Sequence, residues 1–205
     1  DLKAIVVACG TVSTTALPIL QAEAEGFPIF GVVEPTARQA ADATRNGKIG
    51  LIATRASIRT GAYQAVITRL RPEAQVSALA CPLFVPLVEN GRTQPGDVVI
   101  ETVAAEYLAP LKAEGVDTLV LGCTHYPLLL PKIRQFVPSN IKVVSQGEYV
   151  AASLKDYLYR HPEMAVKCTE GGECTFYTTE AEEKFTESAS TFLNERISVK
   201  RITLE

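Results

Sequence analysis

Short apolar runs rich in Val, Ile and Leu alternate along the chain with longer segments of helical periodicity. The runs at 4–8, 29–33, 49–53, 75–80, 118–122, 142–145, 175–178 and 198–204 predict strands. Most are unbroken and not alternating, the pattern of strands buried on both faces. Segments 15–25, 36–45, 57–70, 98–114, 128–136, 149–159 and 181–196 predict helices. Pro18 is tolerated only where its missing N–H would be unpaired anyway, so the first helix should start close to Thr14. Gly26, Gly47 and Gly115 stand where helix C-caps or turns are required. Alternation on this scale predicts an α/β protein with mostly parallel sheets. No low-complexity linker divides the chain. A domain boundary must therefore be a crossing of the chain, near Glu34–Pro35 and again near Ser145–Gly147.

One internal echo stands out from this pattern. Val6-Val7-Ala8-Cys9-Gly10-Thr11 and Val120-Leu121-Gly122-Cys123-Thr124-His125 share one order of residue types. Each is an apolar strand, a small residue, a cysteine, then small or hydroxyl residues before a helix. Each cysteine thus falls at the carboxyl end of a strand, where α/β sheets place their ligands. Each also faces a helix N-terminus, which should lower its thiol pKa. A lone cysteine of this kind is often a small buried hydrophobe. Two equivalent ones point to two similar lobes, each presenting a thiol to a shared cleft.

Two facing thiols suit the inversion of a carbon centre, which needs a base on one face and an acid on the other. A thiol's ordinary pKa of about 8.5 lets thiol and thiolate coexist near neutrality. Each sulfur must lie roughly 3–3.5 Å from the reacting carbon. An α-hydrogen beside a carboxylate is weakly acidic, so preorganised donors and exclusion of water are also required. Thr11, Thr54, Ser57 and Thr124 are candidate donors, each equally able to serve as a helix N-cap. His125, two residues beyond Cys123, is placed to tune that thiol. Glu89 closes the apolar run Leu83-Phe84-Val85-Pro86-Leu87-Val88 and could orient the histidine or a substrate ammonium, or be a solvated loop charge.

Bulk properties narrow the field. The 205 residues, 47% of them apolar, can fill one sizeable core or two small ones. A net charge of −3 and the lack of any Lys/Arg-rich run argue against nucleic acid as a partner. No apolar run approaches the ~20 residues that span a bilayer. Five scattered cysteines suggest free thiols in a reducing compartment and not a disulfide framework. Cys168 and Cys174, with His161 upstream, do not have zinc-ligand spacing, so no metal is expected. The chain opens with neither an initiator Met nor a signal-peptide core and runs almost at once into a strand, so residues upstream are expected.

Leu121-Gly122-Cys123-Thr124-His125-Tyr126-Pro127 resembles the second cysteine motif of the glutamate racemases, within the aspartate/glutamate racemase superfamily, and Val7-Ala8-Cys9-Gly10-Thr11 resembles the first. Gly31-Val32-Val33-Glu34-Pro35, Gly50-Leu51-Ile52-Ala53-Thr54-Arg55-Ala56-Ser57 and Cys81-Pro82-Leu83-Phe84-Val85-Pro86-Leu87-Val88-Glu89 follow in the family's order. The resemblance implies two pseudo-symmetric three-layer α/β lobes with the active site between them: 1–33 from lobe one, 34–145 as lobe two, and 146–205 returning to lobe one. It implies reversible conversion of L- to D-glutamate for peptidoglycan, without pyridoxal phosphate or metal, in the bacterial cytoplasm, by a homodimer when full length. Cys9 would act on the D-enantiomer and Cys123 on the L-enantiomer. Gly10, Thr11, Thr54, Ser57 and Thr124 match substrate-binding positions, while Glu89 and His125 match polar residues that assist the second thiol. Gly10 stands where the family usually has Asn, and Ser57 where Thr is more usual. The resemblance also implies roughly sixty further residues upstream, with an Asp-Ser pair and an aspartate that assists the first cysteine.

The competing readings are another two-thiol racemase of the superfamily, acting on aspartate or hydantoins, and a paralogue or fragment that binds acidic amino acids without turnover. A flavodoxin-like binding domain lacks support, since no Gly-x-Gly-x-x-Gly or phosphate loop is present.

Overall fold

The computed structural model describes residues 2–169 and 171–204, apart from the side chain of Thr191. Asp1, Glu170 and Glu205, which fall in the outer segments 1–33 and 146–205, lie outside the described residues. The chain forms two compact units, Asp1–Lys167 and Cys168–Glu205.

The first unit is organised on a four-stranded parallel sheet. Its strands are β3 (Lys48–Ala53), β4 (Gln75–Ala80), β5 (Thr118–Leu121) and β6 (Lys142–Val144), in the order β4-β3-β5-β6. The central pair is apolar on both faces, and each face is covered by helices. Ile49, Leu51, Ala53 and Val120 pack with residues of α3 (Val33–Ala43) and α5 (Ala62–Leu70). Ile52, Leu119 and Leu121 pack against α6 (Phe84–Glu89), α7 (Val98–Ala113) and α8 (Leu130–Phe136) on the other side. This is the expected three-layer arrangement, with its core in the middle of the chain. Gly50 is needed within it, because a Cβ there would press on Leu111 and Leu119 at 3.3 Å.

A smaller parallel pair precedes it: β1 (Ile5–Val7) beside β2 (Ile29–Gly31), linked by α1 (Gly10–Thr15) and α2 (Leu17–Glu23). α9 (Gly147–Arg160) returns to this layer, with Tyr157 set edge-on to Phe30 at 4.8 Å, and α10 (Pro162–Ala165) follows. A further helix of this unit, α4 (Arg55–Thr60), lies between β3 and α5 in the chain. The second unit holds β7 (Phe176–Thr178) and β8 (Val199–Arg201), paired in parallel and connected by α11 (Glu182–Leu193). Among the described residues no helix is long and apolar enough to cross a membrane.

All eight expected strands form, each trimmed by a residue or more at its ends except 75–80, which matches, and β3, which gains Lys48. The helices differ more. The first starts at Gly10, not near Thr14, and breaks at Ala16, after which Pro18 occupies the first turn of α2. The expected helix 57–70 is split by Gly61, whose φ of +66° ends α4 before α5 begins. The run ending in Glu89 is helix α6, hence Glu89 projects from a regular element and not from a loop. β1 is not buried on both faces: Ile5 and Val6 are 39% and 37% exposed, because this two-stranded sheet is not enclosed like the larger one.

Cys81 sits in the larger core, fully buried, and burial pushes its thiol pKa up to about 12. In the unfolded chain it ionises near about 8.5. Between these values the unfolded state holds fewer protons, so stability is full below that window and falls as pH rises through it. Urea unfolding from pH 8 upward should show this decline, and Cys81→Ala should reduce its slope by up to about 1.4 kcal/mol per pH unit.

Candidate active site

The first cysteine loop is built where β1 ends. Cys9 is the N-cap residue of α1, with extended backbone, and its carbonyl accepts the Ser13 N–H at 2.8 Å. The Ser13 hydroxyl donates to the Val7 carbonyl at 2.8 Å and accepts from the Val32 N–H at 3.2 Å. One side chain thus pins the ends of β1 and β2 together and fixes the loop between them. The Cys9 side is exposed.

The second loop is anchored more deeply. The Gly122 N–H donates to the Ile52 carbonyl at 2.8 Å, extending the β3–β5 ladder by one rung up to the cysteine. Cys123 is only 7% exposed. The Tyr126 N–H closes a turn onto the Cys123 carbonyl, and a 3-10 helix (Tyr126–Leu129) then leads into α8. Cys123 Sγ lies 3.8 Å from His125 Nδ1, and His125 Nε2 lies 3.2 Å from Glu89 Oε1 at the end of α6. A carboxylate can only accept, so Glu89 favours the tautomer with its proton on Nε2, leaving Nδ1 as an acceptor facing the thiol. The three residues form a relay able to take a proton from Cys123 and return it.

Burial, however, raises the Cys123 pKa, and the charge of Cys9 adds to the rise; the N–H groups of His125 and Thr124 lower it by less. The expected lowering by a helix N-terminus does not prevail here, because the residues after Cys123 form a turn and a 3-10 segment, and desolvation dominates.

The two loops meet glycine to glycine. A Cβ on Gly10 would overlap the Gly122 carbonyl oxygen, and one on Gly122 would stand 2.9 Å from Ala53 Cβ and 3.0 Å from the Ile52 carbonyl oxygen. Beside this contact runs a chain of hydroxyls. Thr11 bonds Thr54 at 2.9 Å, Thr54 donates to Ser57 at 3.1 Å, and Thr14 reaches Ser57 at 3.4 Å. Thr54 also caps α4, accepting from the Ser57 N–H, so capping does not remove it from the hydroxyl chain. Of the residues singled out in the sequence, Cys9, Gly10, Thr11, Thr54 and Ser57 are tied together, and Cys123, His125 and Glu89 form the second group against them. The Thr124 side chain is exposed; its contribution to the thiol is its backbone N–H.

Comparison with known proteins gives this geometry a context. The family profile described as Asp/Glu/Hydantoin racemase matches residues 1–154. A glutamate racemase of Geobacter metallireducens is 40% identical across the whole chain, which spans 75% of that protein. The chain belongs to the Asp/Glu/hydantoin racemase family. Among solved structures, a glutamate racemase isoform of Bacillus anthracis superposes with a TM-score of 0.90 at 34% identity, over 99% of this chain and 74% of that one. A Francisella tularensis glutamate racemase, solved in complex with D-glutamate, gives 0.88 at 28% identity, over 100% and 74%.

In this racemase-family chain several residues gathered at these loops escaped sequence reasoning. Thr14 belongs to the hydroxyl chain, and its four-residue spacing from Gly10 on α1 was the available signal. Tyr63 and Gln146 are buried together, with the Gln146 amide donating to the Tyr63 hydroxyl at 2.5 Å. Neither lies in a recognisable motif. The close contact also predicts an outcome for thiol chemistry. Iodoacetamide should label Cys9 before Cys123, and Gly10→Ala should part the loops and speed labelling of Cys123, as read by peptide mass spectrometry. Unchanged labelling of Cys123 in that variant would show that the glycine contact does not control access.

Proposed function

We propose that this chain interconverts L- and D-glutamate by moving the α-proton between Cys9 and Cys123. The observation that carries this reading is the meeting of two cysteine loops, each at the carboxyl end of a parallel strand, close enough that the charge of one thiol is felt at the other. The glutamate racemases of Geobacter metallireducens and Bacillus anthracis, similar over nearly the whole chain, support glutamate over aspartate or hydantoins. The complex of the Francisella tularensis enzyme with D-glutamate supports an acidic amino acid as ligand.

In this mechanism one sulfur is a thiolate and the other a thiol at the start of each turnover. Cys9 takes the α-proton of the D-enantiomer while Cys123 delivers one to the opposite face. Its burial favours the protonated form that this direction needs. In the other direction Cys123 must be a thiolate, and His125, held by Glu89, accepts its proton beforehand. The hydroxyls of Thr11, Thr54 and Ser57 bind the substrate carboxylates, together with the backbone N–H of Gly10 and the exposed Thr124 hydroxyl. Such fixed donors stabilise charge that develops on the carboxylate as the α-proton leaves. No cofactor or metal takes part.

Residues 34–145 form one lobe of this reading, and 1–33 with the returning helix α9 belong to the other, supported by the packing of α9 on β2. The resemblance to glutamate racemases also supports a role in supplying D-glutamate for peptidoglycan, a cytosolic setting and a homodimeric assembly.

The test is exchange of the glutamate α-proton with solvent deuterium, followed by NMR alongside the change in optical rotation. Exchange and inversion are expected with glutamate, and Cys9→Ser or Cys123→Ser should abolish inversion. Exchange with aspartate alone would overturn the substrate assignment. His125→Ala should lower kcat by about 100-fold, the typical share of a positioned acid–base group; an unchanged kcat would remove the relay from the mechanism.

A further inference from the structure

Gln146 lies on the segment that joins β6 to α9 and is 4% exposed. Its side-chain NH2 donates to the Tyr63 hydroxyl, while its amide oxygen is buried with no hydrogen-bond partner. Turning the amide over would only exchange the unpaired atom, since Tyr63 offers one partner to a group that needs several. A half-satisfied buried amide costs stability, so its own contribution to folding does not account for its position.

Its neighbours give a better account. The Gln146 nitrogen stands 3.3 Å from where a Cβ on Gly10 would lie, beside Cys9, and Gly10 in turn rests on the Gly122 carbonyl beside Cys123. Tyr63, from α5, is fully buried and meets this junction through its hydrogen bond with Gln146. Burial raises the phenol pKa, so its O–H stays intact and remains a donor while Gln146 occupies its oxygen. Three separate parts of the chain therefore converge: the Cys9 loop, the Cys123 loop and the 145–147 crossing, bridged to α5 by one hydrogen bond.

We propose that Gln146 and Tyr63 are a positioning pair, which braces the two cysteine loops at a fixed separation. The inference rests on the two-thiol reading above, and neither residue touches the reacting carbon.

The test compares the wild-type chain with Tyr63→Phe and Gln146→Met. Each removes the bridging hydrogen bond and keeps most of the side-chain volume. Two quantities are read: kcat and KM for racemisation, and the pH profile of iodoacetamide alkylation at Cys123 by mass spectrometry. In both variants kcat should fall at least tenfold with KM within twofold, and the alkylation profile should move off its wild-type position because the loop that carries the thiol has lost its brace. The double variant should lose no more than the worse single one. A merely structural role would lower the melting temperature but leave the alkylation profile in place, and that result would overturn the proposal. If Tyr63→Phe does not fold, Gln146→Met decides by the same two readings. A wild-type chain that does not racemise glutamate, yet shifts its alkylation profile in both variants, would sink the functional reading and support the brace.

Discussion

Two backbone loops touch in this protein at a point where neither carries a Cβ, and much else follows from that contact. Gly10 follows one cysteine and Gly122 precedes the other, so the spacing of the loops bears directly on the spacing of the sulfurs. A side chain at Gly10 would drive the loops apart, and one at Gly122 would push its own loop off Ala53 and Ile52 of β3. Interiors are close-packed and yield little to such pressure, so a fraction of an ångström gained at the contact would be passed on to the thiols. The β3–β5 ladder holds one side of the contact through the Gly122–Ile52 hydrogen bond, and the Ser13 bridge between β1 and β2 holds the other. Gln146 closes the third side.

The surroundings of the two sulfurs are unequal. Cys123 is buried, its proton favoured by desolvation and handled by an imidazole with a carboxylate behind it. Cys9 is exposed at the N-cap of a short helix. Both enantiomers of an amino acid have the same free energy, so a racemase has no thermodynamic need for symmetric walls. Each thiol needs only to reach its own face of the α-carbon in the right protonation state. In the proposed mechanism the relay is then a kinetic device, supplying a base to the sulfur that burial would otherwise keep protonated.

The sheet architecture was legible because fully buried parallel strands write themselves as unbroken apolar runs. The run of Leu51, Ile52 and Ala53 reads as it packs, with alternate residues serving opposite cores. The cysteine echo was legible for a similar reason, since a strand end, a small residue and a thiol occur twice in one order. Helix breaks were less visible: Gly61 looks like any helix glycine until its positive φ is seen, and the run before Glu89 carries no helical periodicity of its own. The exposure of β1 and the raised pKa of Cys123 depend on what covers each group, which composition does not report. Tyr63 and Gln146 are 83 residues apart, and a single long-range hydrogen bond leaves no local pattern to read.

The central claim is that the two sulfurs address opposite faces of one carbon across the glycine contact. A crystal structure of the chain with glutamate bound tests it most directly. The account predicts the α-carbon between Cys9 and Cys123, with each sulfur roughly 3–3.5 Å away on opposite faces and the carboxylates against Thr11, Thr54 and Ser57. Glutamate bound elsewhere, or with both sulfurs on one face of the α-carbon, would contradict it.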